Sequence, residues 1–198
     1  MDNKQRILKE AGELFSRYGI RSVTMDYISA ELGISKRTLY EIFKDKDDLV
    51  SQTISEAARM HKEFCFKTVE ESENVIEAIF KIGKLNNEVF GKMNPLFFED
   101  LKKFHPVVFD KIHQKGEIRD YKLTLKLFER GVAEGVISDL LNIELVNIFV
   151  HKILDIIHSD DMKVFRSSDI LNTAFLPYFY GIATTKGRKL IDNYLKTF

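Results

Sequence analysis

Donor chemistry is most concentrated between residues 35 and 46, where Ser35, Lys36, Arg37 and Thr38 follow one another and Tyr40, Lys44 and Lys46 come next. A guanidinium or ammonium group can donate to guanine O6 and N7, and a threonine can bond a base edge or touch a thymine methyl. Each good bidentate contact of this kind discriminates by about 1–3 kcal/mol. Hydroxyls and further lysines suit phosphate oxygens, which fix position without reading sequence. The set works only if a rigid element presents Lys36, Arg37 and Thr38 together.

The flanking residues predict that element. Residues 4–18 place Ile7, Leu8, Ala11, Leu14, Phe15 and Tyr18 on one helical face, and Gly19 ends the helix. Thr24 is an N-cap residue, followed by Asp26 in the first turn, where its charge favours the helix dipole. Ile28, Ala30 and Leu32 form the inward face of that second helix. Gly33 can adopt the left-handed conformation that stops one helix and redirects the chain. Ser35 then caps a third helix over residues 36–43, with Leu39, Ile42 and Phe43 inward and Lys36, Arg37, Thr38 and Tyr40 outward. Two short helices around a tight glycine turn are a helix-turn-helix, whose second helix enters the DNA major groove.

Composition narrows the alternatives. Lys plus Arg and Asp plus Glu each total 30, so binding must rest on this local surface and not on a bulk positive field. With 44% apolar and 30% charged residues in 198, a packed globular chain is expected. The start lacks a secretory core and no stretch is long enough to span a bilayer, so the expected location is the cytoplasm, with no membrane partner. The single cysteine, Cys65, sits beside Phe64, Phe66 and Val69 and reads as a buried structural thiol. No Gly-rich phosphate loop, nucleophile elbow or zinc-protease helix is present, so neither an enzyme nor a cofactor is expected. His151, Asp155 and His158 share a helix face at a spacing that can hold metal, but no fourth ligand is identifiable and exposed or interfacial polar residues are expected.

The segment FSRYGIRSVTMDYISAELGISKRTLYEIFKDKDDLV, residues 15–50, resembles the DNA-binding region of the TetR family. The likeness rests on the Tyr18-Gly19 helix end, Thr24, the run Gly33 to Lys36, Thr38 to Tyr40, Phe43, and Lys46 to Leu49. It implies phosphate contacts from Thr24, Ser35, Tyr40 and Lys46, with Lys36, Arg37 and Thr38 nearest the bases. Lys44 suits phosphate by its type. Two positions depart from the family pattern: Arg37 stands where a small residue is common, and Glu41 where His or Tyr is frequent. Glu41 can accept from a cytosine N4 or repel phosphate.

An all-α fold is expected throughout, with a helix-turn-helix domain over residues 1–48 and a larger helical domain over 49–198. A long helix after the Asp45 N-cap is shared between them. Further helices are predicted at 74–92, 95–103, 106–134, 143–158, 169–180 and 186–196. Asn74, Asn94, Asn142, Ser168 and Thr185 start helices, Gly135 and Gly181 end them, Gly116 breaks or bends one, and Pro177 kinks another. The small residues of GVAEG, 131–135, suggest a close helix crossing or a C-cap.

Sixteen phenylalanines against no tryptophan, with Phe97, Phe98, Phe104 and Phe109 crowded together, form either a packed core or the walls of the effector pocket that the resemblance implies. His61, Phe64 and Tyr121 join the candidate ligand set, and His105, His113 and Arg119 are further polar handles. The resemblance also implies a homodimer through residues 143–158 and 169–180. There Val146, Phe149, Val150, Ile153, Ile157, Leu171, Phe175 and Phe179 can serve core or interface. The function implied is a regulator that binds a near-palindromic operator in double-stranded DNA and represses until a small effector lowers its affinity. The alternative is a body that binds a protein partner and no small ligand.

Overall fold

The computed structural model describes residues 2–114, 120–157 and 164–197. The helices are α1 (Asn3–Tyr18), α2 (Met25–Leu32), α3 (Lys36–Ile42), α4 (Lys46–Glu71), α5 (Val75–Gly91), α6 (Leu96–Phe104) and α7 (Pro106–Gln114). They continue with α8 (Tyr121–Ala133), α9 (Ile143–Ile157), α10 (Ser167–Ile170), α11 (Leu176–Ile182) and α12 (Thr185–Thr197). A π-helical turn, Leu171–Phe175, joins α10 to α11. Among the described residues the fold is all helical, apart from one isolated bridge between Ile137 and Ala183.

The chain divides into two compact units, Met1–Cys65 with Lys84–Arg119, and Phe66–Gly83 with Asp120–Phe198. The core of the first unit takes Ile7, Ala11 and Phe15 from α1, Ile28 from α2, Leu39 from α3, and Leu49 and Val50 from α4. Phe97, Leu101 and Val108 of α6 and α7 complete it. A large apolar side chain buried this fully contributes about 1.5–3 kcal/mol. This unit therefore reaches past residue 48, and its three amino-terminal helices fold against later parts of the chain.

The second unit packs Val75 and Ile76 of α5, Leu127 and Phe128 of α8, Val146 and Val150 of α9, and Phe179 and Ile182 of α11 around Val136, Ile137 and Ile191. Gly131 is the close crossing within GVAEG, since a Cβ there would lie 2.5 Å from Ile137 Cδ1. Gly135, at φ 67°, turns the chain after α8. Arg130 and Glu134 close the loop between α4 and α5. Arg130 donates to the carbonyls of Val69 and, at 2.8 Å, Ser72, while Glu134 accepts from Arg130 Nε at 2.6 Å and from the Val75 N–H at 2.8 Å. Cation and carboxylate thus each meet the helix end whose partial charge they complement.

Several predicted boundaries shift. Gly181 does not end its helix, which runs on to Ile182 with Ala183 as the C-cap. The cap of α12 is Thr184, whose Oγ1 accepts from the Gly187 N–H at 3.1 Å, and Thr185 is already helical. Two adjacent threonines present the same signal to a sequence pattern, and only the backbone geometry chooses between them. Asn74, Asn94 and Asn142 each accept a backbone N–H at the predicted helix start. The helix predicted over 106–134 is two helices, α7 and α8; Gly116, placed between them, and Arg119 lie outside the described residues, as does His158.

Candidate nucleic-acid interface

Local capping builds the recognition unit. Thr24 Oγ1 accepts the Tyr27 N–H at 3.1 Å, which fixes the start of α2. Gly33, at φ 64° and ψ 32°, takes the left-handed conformation and stops α2. Ser35 Oγ accepts the Thr38 N–H at 3.0 Å and lies 2.8 Å from Thr38 Oγ1, so both hydroxyls define the first turn of α3. Leu39 is fully buried and pins the inner face.

The outer face of α3 carries the expected cations, each beside a carboxylate. Lys36 Nζ lies 2.6 Å from Asp26 Oδ2, which ties α3 to α2. Arg37 Nε donates to Glu41 Oε1 at 2.9 Å, with the arginine side chain 88% exposed. Tyr40 and Lys44 are exposed, and the Lys44 backbone N–H donates to Asp48 Oδ2 at 3.0 Å. Asp45 caps α4 by accepting the Asp48 N–H at 2.9 Å.

Lys46 behaves differently from its neighbours. Its half-buried ammonium donates to the Ile20 carbonyl at 2.6 Å, linking the start of α4 to the turn between α1 and α2. Burial pulls its pKa below the ordinary lysine value, and the nearby charges of Asp100 and Asp47 oppose that shift. A phosphate would have to compete with a carbonyl already in place.

Sequence reasoning missed the support behind this turn. Asp100, nearly buried on α6, accepts the Arg21 N–H at 2.8 Å. Its Oδ2 would lie 3.0 Å from a Cβ at Gly19, whose φ is 82°. The Arg21 guanidinium sits 5.0 Å from the centre of the Phe104 ring. Asn94 donates its backbone N–H to the Ser16 carbonyl at 2.7 Å, and His105 Nδ1 lies 2.6 Å from Asp47 Oδ1. An aspartate within an amphipathic helix reads as a solvated residue, so no local signal pointed to Asp100.

The candidate ligand residues are dispersed. Phe97 is buried in the core of the first unit and Phe109 packs against it, while Phe64, Phe98 and Phe104 remain more than a third exposed. His61 Nε2 lies 2.7 Å from Asn86 Oδ1, and Cys65 Sγ is 3.8 Å from the same imidazole. Burial pushes the Cys65 thiol up to about 11. Tyr121 belongs to the second unit, where its ring stacks on His151 at 3.8 Å. His151 is itself buried and lies 3.0 Å from Thr124 Oγ1, so it is a core residue of α9 and not an exposed one. No cluster of three metal-ligating residues occurs among the described residues, and the side chain of His113 lies outside them. Two open grooves lie in the first unit, one at Tyr18, Ser22, Val23 and Tyr27 and one between α1 and α4.

A capped helix-turn-helix with an outward cationic helix, set in an all-helical chain, defines a DNA-binding transcriptional regulator. Residues 7–53 match the model for bacterial regulatory proteins of the tetR family, which makes this segment a TetR-type helix-turn-helix. The HTH-type transcriptional regulator YhgD of Bacillus subtilis (strain 168) is 26% identical over 145 residues, 70% of this chain and 73% of that protein. The crystal structure of a transcriptional regulator from Cytophaga hutchinsonii has the same fold, with a TM-score of 0.73 at 20% identity, covering 92% of this chain and 100% of that one. A transcriptional regulator from Saccharomonospora viridis, solved in complex with choline, matches with a TM-score of 0.64 at 16% identity, covering 91% and 97%. No helix among the described residues is long and apolar enough to cross a membrane.

Proposed function

We propose that the chain is a cytoplasmic homodimeric repressor, without enzymatic activity, that reads a near-palindromic operator through α3 and releases it when a small effector binds the larger domain. The observation that carries the DNA reading is the capped α3, with Lys36, Arg37 and Thr38 at its start and Tyr40 and Lys44 beyond. Reading successive major grooves requires two such helices about 34–36 Å apart, hence a dimer.

The support for dimerisation is α9. Val146 and Val150 are core, but Leu145, Ile148, Phe149 and Ile156 are about half exposed at helical spacing, and Leu171 is 46% exposed. An apolar stripe of this kind on a helix marks an interface. The effector reading draws on the choline complex of the Saccharomonospora protein, a likeness of fold alone. The burial of Phe97 in the core of the first unit, with Phe109 partly buried against it, favours the second reading, a body that docks a protein partner.

The test is selection of random duplex DNA on the purified protein, repeated with Arg37→Ala. An enriched near-palindrome that relaxes in the variant supports the proposal, and sequence-blind binding by the wild-type protein refutes it. Calorimetric titration of the operator complex with amphipathic and quaternary-ammonium compounds then separates the small-effector reading from the protein-partner one.

A further inference from the structure

Glu41 places an acid on the helix proposed to face DNA. Its Oε1 lies 2.9 Å from Arg37 Nε one turn earlier, and the two side chains are 59% and 88% exposed. A carboxylate on that face is repelled by every nearby phosphate, so its presence weakens binding to all DNA alike. Resting on the reading that α3 enters the major groove, we propose that Glu41 is a positioning residue that orients Arg37 for guanine.

The geometry sets the division of labour. Arginine offers five N–H donors in a rigid planar fork. With Nε engaged by Glu41, the two terminal amino groups remain as an end-on pair for guanine O6 and N7. An arginine without such a partner swings on a flexible stem toward the nearest phosphate, a contact blind to sequence. In water an exposed pair of this kind is weak. Docking into a groove removes water and strengthens it, so the constraint acts when the base is being read. Lys36 is treated in the same way by Asp26 at 2.6 Å. Each of the two cations nearest the bases is thus held in a fixed direction by a carboxylate, which limits its swing toward a flanking phosphate. Glu41 thus lowers affinity for random DNA while raising selectivity.

The experiment compares wild type, Arg37→Ala, Glu41→Ala and Glu41→Gln by selection on random duplex and by titration at several salt concentrations. Wild type and Glu41→Gln, which keeps an acceptor for Nε, are expected to share a guanine position with at least about tenfold preference. Arg37→Ala loses that preference. Glu41→Ala loses it too, binds random duplex more tightly, and steepens the slope of log K against log salt by about 1 as Arg37 takes a phosphate. The proposal is overturned if Glu41→Ala keeps the guanine position. It is equally overturned if that variant instead loses a cytosine position, which makes Glu41 a direct reader, or if Glu41→Gln behaves like Glu41→Ala. A wild-type protein that enriches no motif sinks the regulator reading beneath the proposal, an outcome distinct from loss of the motif in the Glu41 variants alone.

Discussion

Asp100→Ala removes the acceptor of the Arg21 N–H, a 2.8 Å bond that holds the turn between α1 and α2 to α6. A hydrogen bond to a charged group is worth about 1.5–3 kcal/mol, and the short alanine leaves the amide without a partner. The expected loss is about 2 kcal/mol, and with a urea slope near 2 kcal/mol/M the midpoint falls by about 1 M. The chain has no tryptophan, so unfolding is followed by far-ultraviolet circular dichroism, with hydrogen exchange at the Arg21 amide as the local readout. Asp100→Asn keeps an acceptor and should lose less. The charge also has a pH signature. Burial lowers the Lys46 pKa and Asp100 opposes this, so removing the carboxylate destabilises the ammonium form alone. That part of the deficit is present at neutral pH and fades as pH rises toward the ordinary lysine value of 10.5, where the folded protein releases the proton first. A urea midpoint within about 0.2 M of wild type, with Arg21 still protected, would refute the role given to Asp100.

Gly131→Ala sets a Cβ 2.5 Å from Ile137 Cδ1 and should cost about 1–3 kcal/mol in thermal or urea unfolding. Adding Ile137→Val removes the nearer of two close atoms and leaves Cγ1 at 2.9 Å, so the double variant should recover part of the loss, and a double variant less stable than Gly131→Ala by the full cost of Ile137→Val alone would mean the crossing is not what limits this site. Cys65, pushed up to about 11 from an ordinary 9.0, should carry about a hundredfold less thiolate at pH 8 than an unperturbed cysteine, so alkylation at full speed would contradict its burial. Phe149→Glu, on the exposed stripe of α9, should leave helicity intact while shifting sedimentation from dimer to monomer and weakening operator binding at least about tenfold, and an unchanged dimer would move the interface elsewhere.

Features written in consecutive residues were legible. The caps at Thr24 and Ser35, the stop at Gly33 and the apolar face of α1 follow from local backbone needs that few residue types meet. What the sequence hid depends on distant partners. Lys46 looks like any exposed lysine until the carbonyl of Ile20, twenty-six positions earlier, is brought beside it, and Asp100 reaches across seventy-nine positions to Arg21. Periodicity placed Val146, Phe149 and Val150 on one apolar helix but could not separate core from surface. Burial does, leaving Phe149 outside and the valines within. The phenylalanine count left a packed core and a pocket both open, because aromatic rings fill a helical core as readily as they line a cavity.

The π-helical turn before α11 amounts to one residue too many in an otherwise regular rod. The Leu176 N–H reaches back five positions to the Leu171 carbonyl, so the surplus is absorbed within Leu171–Phe175 and the helices on either side keep their phase. Pro177, which lacks the N–H owed to Thr173 and would crowd that carbonyl in a tight α-turn, sits where the widened turn gives it room. Length and proline are therefore coupled here. Shortening the segment by one residue restores α-helical pitch but brings the ring against the backbone, whereas the same deletion made together with Pro177→Ala leaves Phe179 facing the core it already occupies.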